Sequence, residues 1–354
     1  MAAISPAEKT ASGSFLARHG RALVIGALLA WYLLFFLLPF LIVVKISVAT
    51  VTDTIPPYTP LLSFAGHGLS LDISFDNFAQ LISDPVIIAS YLGSLRTAAV
   101  TTVLCILIGY PIAYAIAVER ASLRPVLLML ITIPFWTSFL IRIYAWIGLL
   151  KDNGVINNVL IWAGIIDSPL AIMNTSISIY IGMVYCYLPF FILPLYAVLE
   201  KRDLALTEAA SDLGSRPLRT FWSITLPLSL PGVFAGSLLV FVPATGEYLI
   251  PKLLGGAVNL MIAPVLWDSF FVARNWPIAA AATVALVLIL LLPLSFVDRV
   301  RRQTAAAEDE HPVEEDVDAV ADERDPHRRQ HAALRLQVLL GGEEDEEERQ
   351  PRDL

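Results

Sequence analysis

Long runs of apolar residues without a single charge constrain this chain more than any other feature. A helix needs about 20 mostly apolar residues to cross a bilayer. Five runs without Asp, Glu, Lys or Arg reach that length, and a sixth, residues 125–150, is interrupted only by Arg142. The five uninterrupted runs are residues 22–44, 97–118, 168–199, 220–246 and 275–297. The sequence therefore predicts an all-α, polytopic membrane protein with six transmembrane helices.

The composition argues against a soluble enzyme. Only 16% of the 354 residues are charged and 56% are hydrophobic, whereas a soluble domain has about 25% charged residues. Residues 22–44 are too long for the apolar core of a cleaved signal peptide, so we interpret them as an uncleaved anchor. The apolar residues 253–267 are too few for a crossing, and we interpret them as a re-entrant or interfacial segment.

Basic residues are distributed unevenly between the two sides of the predicted spans. With the N-terminus in the cytoplasm, twelve Lys and Arg residues flank the spans on the cytoplasmic side and six on the outer side. This bias predicts that both termini are cytoplasmic. The longest connection, residues 45–90, is then on the outer side, and its residues 75–82 form a mildly amphipathic piece.

The charge pattern divides the chain into three parts. Residues 1–21 are expected to be a cytoplasmic segment, and residues 22–298 to be the six-span domain. Residues 303–354 hold 17 Asp and Glu against 6 Arg. A composition of this kind does not bury a core, so residues 299–354 are expected to be a disordered cytoplasmic tail.

A spaced motif lies in the cytoplasmic loop between the fourth and fifth spans, at about residues 200–231. The pattern predicts a short helix, a glycine break, a second helical piece and a proline at the return to the membrane. Two adjacent alanines give the short helix a surface that another protein can approach closely. The fixed positions of the motif are Glu208, Ala209, Ala210, Gly214, Ile224, Leu226 and Pro227.

This Glu-Ala-Ala-x3-Gly-x9-Ile-x-Leu-Pro pattern resembles the EAA loop of the permease subunits of ATP-binding-cassette importers, the inner-membrane components of binding-protein-dependent transport. All seven positions match. The resemblance implies a type I importer permease fold, in which this loop docks on a separate ATPase subunit. It assigns the seven motif residues to ATPase coupling. Arg216 and Arg219 either add charged contacts or act as topology signals.

The energy source is expected to be outside the chain. A phosphate-binding P-loop needs a Gly-Lys pair, and none of the five lysines follows a glycine. We therefore expect no bound cofactor, with ATP used by the partner ATPase. The resemblance implies four kinds of partner in a bacterial inner membrane: a second, non-identical permease, two ATPase subunits, an external solute-binding protein and membrane lipid. No feature of the sequence points to nucleic acid.

The sequence also argues against metal and covalent chemistry. The histidines are too scattered for a metal site. Cys105 and Cys186 lie in apolar runs and are interpreted as buried small side chains. A membrane-embedded enzyme would need a cluster of polar catalytic groups at one depth, and Glu247, at the outer end of the fifth span, is the one carboxylate that we assign to a span. The chain is therefore predicted not to be an enzyme.

Two further segments, residues 134–157 and 243–256, resemble spermidine/putrescine permeases, as do Leu266-Trp267 and residues 275–277. This resemblance implies polyamine uptake by alternating access. Related importers for opines or amino-acid derivatives share parts of the pattern, so another small organic solute stays open. The EAA loop disfavours the remaining alternative, an ATP-independent channel or carrier.

A pathway for a polycation needs carboxylates and aromatic faces, and an ionisable residue within a span is a functional candidate. Glu247 could instead form a structural ion pair with Arg142, and the aromatic residues could belong to an interfacial belt. The candidate pathway residues are Tyr144, Glu247, Tyr248, Trp267 and Asp268.

Overall fold

The chain is mostly helical in its computed structural model, which describes residues 25–65, 68–203, 205–256 and 259–292. Two short strands, β1 (Leu62–Ala65) and β2 (Gly68–Leu71), pair antiparallel. The helices in chain order are α1 (Ile25–Ser47), α2 (Asp76–Ser83), α3 (Pro85–Val118), α4 (Arg124–Thr132), α5 (Phe139–Leu150), α6 (Val155–Trp162), α7 (Ser176–Glu200), α8 (Ala205–Asp212), α9 (Pro217–Thr245), α10 (Leu249–Leu254), α11 (Ile262–Val272) and α12 (Trp276–Leu292).

Four of these helices, α1, α3, α7 and α9, are long and apolar enough to cross a membrane. Each overlaps a predicted span, and two of the helices begin eight or more residues from the predicted position. Helix α3 begins at Pro85, well before residue 97, because the Asp84 carboxylate accepts a hydrogen bond from the Val86 N–H at 2.8 Å and Pro85 suits the first helical position. Helix α7 begins only at Ser176, since Asn174 has a positive φ of 63°.

The predicted span at residues 125–150 is not one straight helix. The helical pieces Arg124–Trp136 and Phe139–Trp162 meet at 90°. The break follows from Pro134, which has no N–H to donate, and from Thr137, whose backbone is extended. Counting the bent pair as one span gives up to five candidates. Helix α12 covers residues 276–292 of the predicted sixth span, and residues 293–297 lie outside the described part of the chain.

The core lies where α3, α7 and α9 pack together. Cys105, Met183, Phe191 and Val240 are all buried there. A Cβ added at Gly236 would lie 2.8 Å from the Phe191 carbonyl oxygen, so the α7 and α9 backbones approach closely at this glycine. Cys105 and Cys186 are buried and free, which confirms their interpretation as packed small side chains.

The connection at residues 45–90 is folded. Its predicted amphipathic piece forms α2, where Leu81 is buried and Ile82 is exposed. The buried Asn77 amide donates to the backbone oxygens of Ser47, at 3.0 Å, and Ala49, at 2.8 Å. These bonds attach α2 to the C-terminal end of α1. The β1–β2 hairpin is the exception to the all-α prediction, because a four-residue strand leaves little periodic signal in a sequence.

The segment at residues 253–267 is not one helix. It contains the end of α10 and the start of α11, and Leu254 and Ile262 are fully buried. The Ser178 hydroxyl donates to the Leu254 carbonyl oxygen at 2.7 Å, and the Ile262 N–H donates to the Ser94 hydroxyl at 2.9 Å. These bonds attach the segment to α7 and α3. The predicted cytoplasmic segment 1–21 and acidic tail 299–354 lie outside the described residues.

Candidate coupling loop and candidate substrate pathway

The EAA motif lies on a short helix that ends at a glycine, as the pattern predicts. Helix α8 carries Glu208, Ala209 and Ala210. After it, Gly214 has a φ of +79°, and the Ser215 N–H reaches back to the Ala210 carbonyl oxygen at 2.9 Å. This is the six-to-one bond of a glycine-terminated helix. A Cβ at Gly214 would meet nothing within 4 Å, so the backbone angle, not space, favours glycine here.

The surface around α8 is more apolar than the motif alone suggests. Glu208 and Ala209 are exposed. Three large apolar side chains that follow the helix are strongly exposed as well: Leu213 by 90%, Leu218 by 72% and Trp222 by 61%. The sequence analysis did not single out these three residues. Large apolar residues in a polar cytoplasmic loop were the signal that could have identified them. An exposed apolar surface of this kind is typical of a protein-docking site.

The second half of the motif belongs to the root of α9. Thr225, between two motif residues, is almost fully buried at 2% exposure. Ile224 is half-buried, Leu226 packs against the core, and Pro227 is exposed. Ile224 and Leu226 therefore anchor the loop to the base of α9, whereas Pro227 stays at the surface of that base.

Basic residues divide into two groups at this loop. Arg216 and Arg219 are exposed, whereas Arg202 points inward. One Arg202 guanidinium nitrogen, Nη1, donates to the Thr225 hydroxyl at 2.7 Å. Arg124 forms an ion pair with Glu200 at 3.7 Å. Sequence reasoning did not single out Arg202 for any role beyond topology.

Glu247 lies between α9 and α10, and neutral donors surround its carboxylate. The Tyr187 hydroxyl donates to one oxygen at 2.5 Å. The backbone N–H groups of Leu249, at 2.9 Å, and Ile250, at 3.4 Å, donate to the other. Oriented backbone dipoles stabilise a carboxylate at the start of a helix. Tyr187 was missed from the sequence, because an isolated tyrosine in an apolar run carries no signal of its own.

The alternative ion pair between Glu247 and Arg142 is absent from the described residues at a 4.0 Å nitrogen–oxygen distance. Arg142 is instead 9% exposed, and its guanidinium lies 5.3 Å from the Phe135 ring centre and 5.4 Å from that of Phe139. These are cation–π distances. Glu247 is thus held without a cationic side chain.

Three of the other pathway candidates come together at one place. The Tyr248 ring stacks on Trp267 with the ring centres 4.9 Å apart. Asp268, next to Trp267, forms an ion pair with Lys252 at 3.3 Å. Tyr144 is 59% exposed on α5 and makes no ring contact with this group among the described residues. The structure thus groups Tyr248, Trp267 and Asp268, and sets Glu247 against Tyr187.

A cavity of about 410 Å³ adjoins the aromatic group. Tyr248, Trp267, Phe270 and Phe271 line it together with aliphatic side chains. Its wall can hold an apolar or cationic group by contact with aromatic faces. No set of three or more His, Cys, Asp or Glu side chains suited to a metal ion occurs in the part of the chain that the structure describes.

Known proteins resemble this chain in both sequence and fold. The spermidine/putrescine transport system permease protein PotB of Escherichia coli (strain K12) is 40% identical over 271 residues, which cover 77% of this chain and 94% of that protein. PotB of Haemophilus influenzae is 37% identical over 270 residues, which cover 76% of this chain and 90% of that protein. A chain of a bacterial alginate ABC transporter in complex with alginate pentasaccharide-bound periplasmic protein has a similar fold, with a TM-score of 0.60 and 17% identity. That match covers 82% of this chain and 97% of the other.

A sequence profile described as "binding-protein-dependent transport system inner membrane component" matches residues 106–305. That range is more than half of the chain, and it contains the complete EAA motif and every candidate pathway residue. The helices long enough to cross a membrane agree with a multi-pass inner-membrane protein. The chain belongs to the family of binding-protein-dependent transport system inner membrane components, and it is the permease type of subunit in an ATP-binding-cassette importer.

Proposed function

We propose that this chain is the permease subunit of an importer for spermidine and putrescine. The observation that carries the proposal is the 40% identity to the PotB permease of Escherichia coli, which extends over 94% of that protein. Identity over nearly a whole permease includes the segments that would line its pathway. A match restricted to the coupling loop would support an importer of any solute.

The proposed topology has six spans with both termini in the cytoplasm. Helices α1, α3, α7 and α9 supply four spans, the bent α4–α5 pair a fifth, and α12 the sixth. The excess of Lys and Arg on one side supports this orientation. The connection with α2 and the β1–β2 hairpin then lies outside, and α8 lies in the cytoplasm.

The proposed complex contains a second, non-identical permease, two ATPase subunits and an external solute-binding protein. Helix α8 would dock on an ATPase subunit through Glu208, Ala209 and Ala210. Gly214 would end the docking helix, and Ile224, Leu226 and Pro227 would root it in α9. The exposed Leu213 supports a docking surface here. ATP would be bound and hydrolysed by the partner, and this chain would catalyse no covalent chemistry.

Transport would proceed by alternating access. Closure of the ATPase dimer on ATP would move α8, and α8 would move α7 and α9. The binding protein would release the solute into an outward-facing cavity, and hydrolysis would restore the inward-facing state. A lever of this kind needs a rigid connection between the loop and the spans, and the 2.7 Å hydrogen bond from Arg202 to Thr225 at the base of α9 supports one.

The proposed pathway uses one carboxylate and several aromatic faces. Glu247 would attract an amine of the solute, because its carboxylate forms no ion pair in the described part of the chain and its three hydrogen-bond donors there are neutral. Tyr248 and Trp267 would contact the cation through their ring faces. Tyr144 would line the same route. Asp268 would bind the solute only when its ion pair with Lys252 opens, so we expect it to contribute less to binding than Glu247 does.

Uptake of labelled putrescine and spermidine into cells with and without this chain tests the proposal. Uptake should need the chain, should stop when ATP is depleted, and should fail in a Gly214→Asp variant that reaches normal membrane levels. Polyamine uptake unchanged by deletion of the chain would overturn the substrate assignment. The same assay with opines and amino-acid derivatives then examines the alternative solutes. ATP-independent uptake would instead revive a channel or carrier.

A further inference from the structure

The side chain of Arg202 bridges the root of the coupling loop, where α7 ends and α9 begins. This residue follows the last turn of α7, where its N–H donates to the Leu199 carbonyl oxygen at 3.4 Å. Its Nη1 donates at 2.7 Å to the hydroxyl of Thr225 at the base of α9. The bond therefore joins the two chain segments through which the loop leaves and re-enters the membrane domain.

A third element meets the same guanidinium. The Arg202 guanidinium carbon lies 5.6 Å from the ring centre of Tyr114 on α3. The Tyr114 ring lies edge-on to Phe221 at 6.2 Å, and Tyr110 lies edge-on to the same ring at 5.5 Å. Phe221 is itself in the first turns of α9. Arg202 thus contacts α3 and α9 while its backbone belongs to the end of α7.

Stability alone does not explain an arginine at this place. Its Nε is buried and has no hydrogen-bond partner in the described part of the chain. A buried donor left unpaired costs free energy, and an apolar side chain of similar size is often at least as stabilising as a buried charge. What arginine provides is a planar group that donates and stacks at the same time.

We propose that Arg202 is a positioning residue, which clasps the root of the coupling loop to α3 and α9 so that movement of α8 is transmitted to all three long helices together. We call this three-way contact of Arg202, Thr225 and Tyr114 the root clasp. Without it, residues between α7 and α8 could absorb the displacement of α8 by bending. The loss would appear as ATP hydrolysed without transport.

The root clasp rests on the proposed function for the choice of solute and for the docking of α8 on an ATPase subunit. The test uses the whole complex of this chain, the second permease, the ATPase subunits and the binding protein, reconstituted in vesicles. The measured quantity is labelled spermidine imported per ATP hydrolysed. Thr225→Val removes the acceptor at nearly constant shape, whereas Thr225→Ser keeps it and is the matched control.

We expect Thr225→Val and Arg202→Gln to lower the imported spermidine per ATP by about threefold to tenfold, which lies within the range for mutations in a coupling network. Thr225→Ser should stay within about twofold of the unmodified complex, and the double variant should be no worse than the worse single one, because both remove the same contact. A ratio unchanged in Thr225→Val, or equally low in Thr225→Ser, would overturn the clasp. So would a lower yield of complex with an unchanged ratio.

A second measurement does not depend on the solute. Spin labels at cysteines that replace the exposed Ser211 on α8 and the exposed Leu123 before α4 report the distance between the loop and the spans. Cys105 and Cys186 are buried and should not react. The distance distribution should be narrow in the unmodified complex and in Thr225→Ser, and broad in Thr225→Val. If the unmodified complex imports no polyamine, the proposed substrate is wrong. Distance distributions of equal width in all three complexes would refute the root clasp independently of the solute.

Discussion

The carboxylate of Glu247 has three donors, and none of them carries a charge. A hydroxyl from Tyr187 and two backbone N–H groups satisfy its oxygens. The sequence identified Glu247 as an ionisable residue in a span, and it offered Arg142 as the partner. It could not show that Arg142 faces two aromatic rings instead, because such contacts depend on the bend between α4 and α5.

Replacing Glu247 by Gln separates charge from shape. Gln keeps an acceptor oxygen for the Leu249 N–H, so the start of α10 should keep its form. The loss of a charged partner for an amine, which contributes about 1.5–3 kcal/mol, should lower the rate of polyamine uptake by about tenfold to a hundredfold. Uptake at equal membrane levels is the measurement. Glu119→Gln, which removes a carboxylate outside the pathway, should leave it unchanged, and a normal rate in Glu247→Gln would contradict the pathway role.

Gly214 offers a second test at the residue scale. Its φ of +79° costs an L side chain about 1–2 kcal/mol, although the space around it is open. Gly214→Ala should therefore weaken the retention of the ATPase subunit on purified permease and reduce transport. Gly148→Ala is the control, because that glycine also has open space but lies within helix α5. Equal behaviour of the two variants would show that the backbone angle is unimportant.

At the scale of elements, the apolar runs predicted which segments are helical but not where the helices begin. Helix α3 continues past Arg96 to the Asp84 cap, since a helix can extend beyond the apolar layer. The bend at residues 137–138 could not be predicted, because the apolar run continues through it. A proline near a kink is visible in a sequence, but the angle depends on what the two halves pack against.

The packing of α7 on α9 depends on a missing side chain. A Cβ at Gly236 would lie 2.8 Å from the Phe191 carbonyl oxygen and 3.2 Å from its Cα. Gly236→Ala must therefore move backbone, and overpacking of this kind costs about 1–3 kcal/mol. We expect a lower midpoint of thermal unfolding for the purified complex. Gly26→Ala on α1, where an added Cβ meets nothing within 4 Å, should be neutral or slightly stabilising.

An unchanged midpoint in Gly236→Ala would mean that α9 can shift without loss of packing. A drop in both variants would point to a general effect of alanine in apolar helices, and not to the contact with Phe191. Uptake measured on the same samples shows whether the close approach also matters for transport.

At the scale of the whole molecule, the coupling loop was the part best predicted from the sequence. The short helix, the glycine stop and the helical return are local features, and their residues carry local signals. The candidate pathway was less predictable, because it joins residues that are distant in the chain. Tyr187 meets Glu247 across 60 positions, and no spacing rule anticipates that contact. Tyr144 shows the converse, because it is a plausible residue type that makes no ring contact with the other candidates in the described part of the chain.

Single cysteines test the orientation of the entire chain. A cysteine at the exposed Ser211 should react with a membrane-impermeant thiol reagent only from the cytoplasmic side, and one at the exposed Asn153 only from the outer side. The buried Cys105 and Cys186 should give no background. Reaction of both introduced cysteines from the same side would contradict the proposed topology.

None of the most apolar stretch of helix α1 is buried against the described part of the chain, whereas half of the corresponding stretch of α7 is buried. The aromatic side chains of α1 contact one another along the helix, as Trp31 does Phe35 and Tyr32 does Phe36. Contacts within the chain therefore place little constraint on which apolar residue occupies each position of α1. Exchange of one apolar residue for another in this helix should have little effect on the stability of the chain. Among descendants of this sequence, the residues of α1 should be substituted quickly while the mean hydropathy of the helix stays constant. The residues of α7 should be substituted much more slowly.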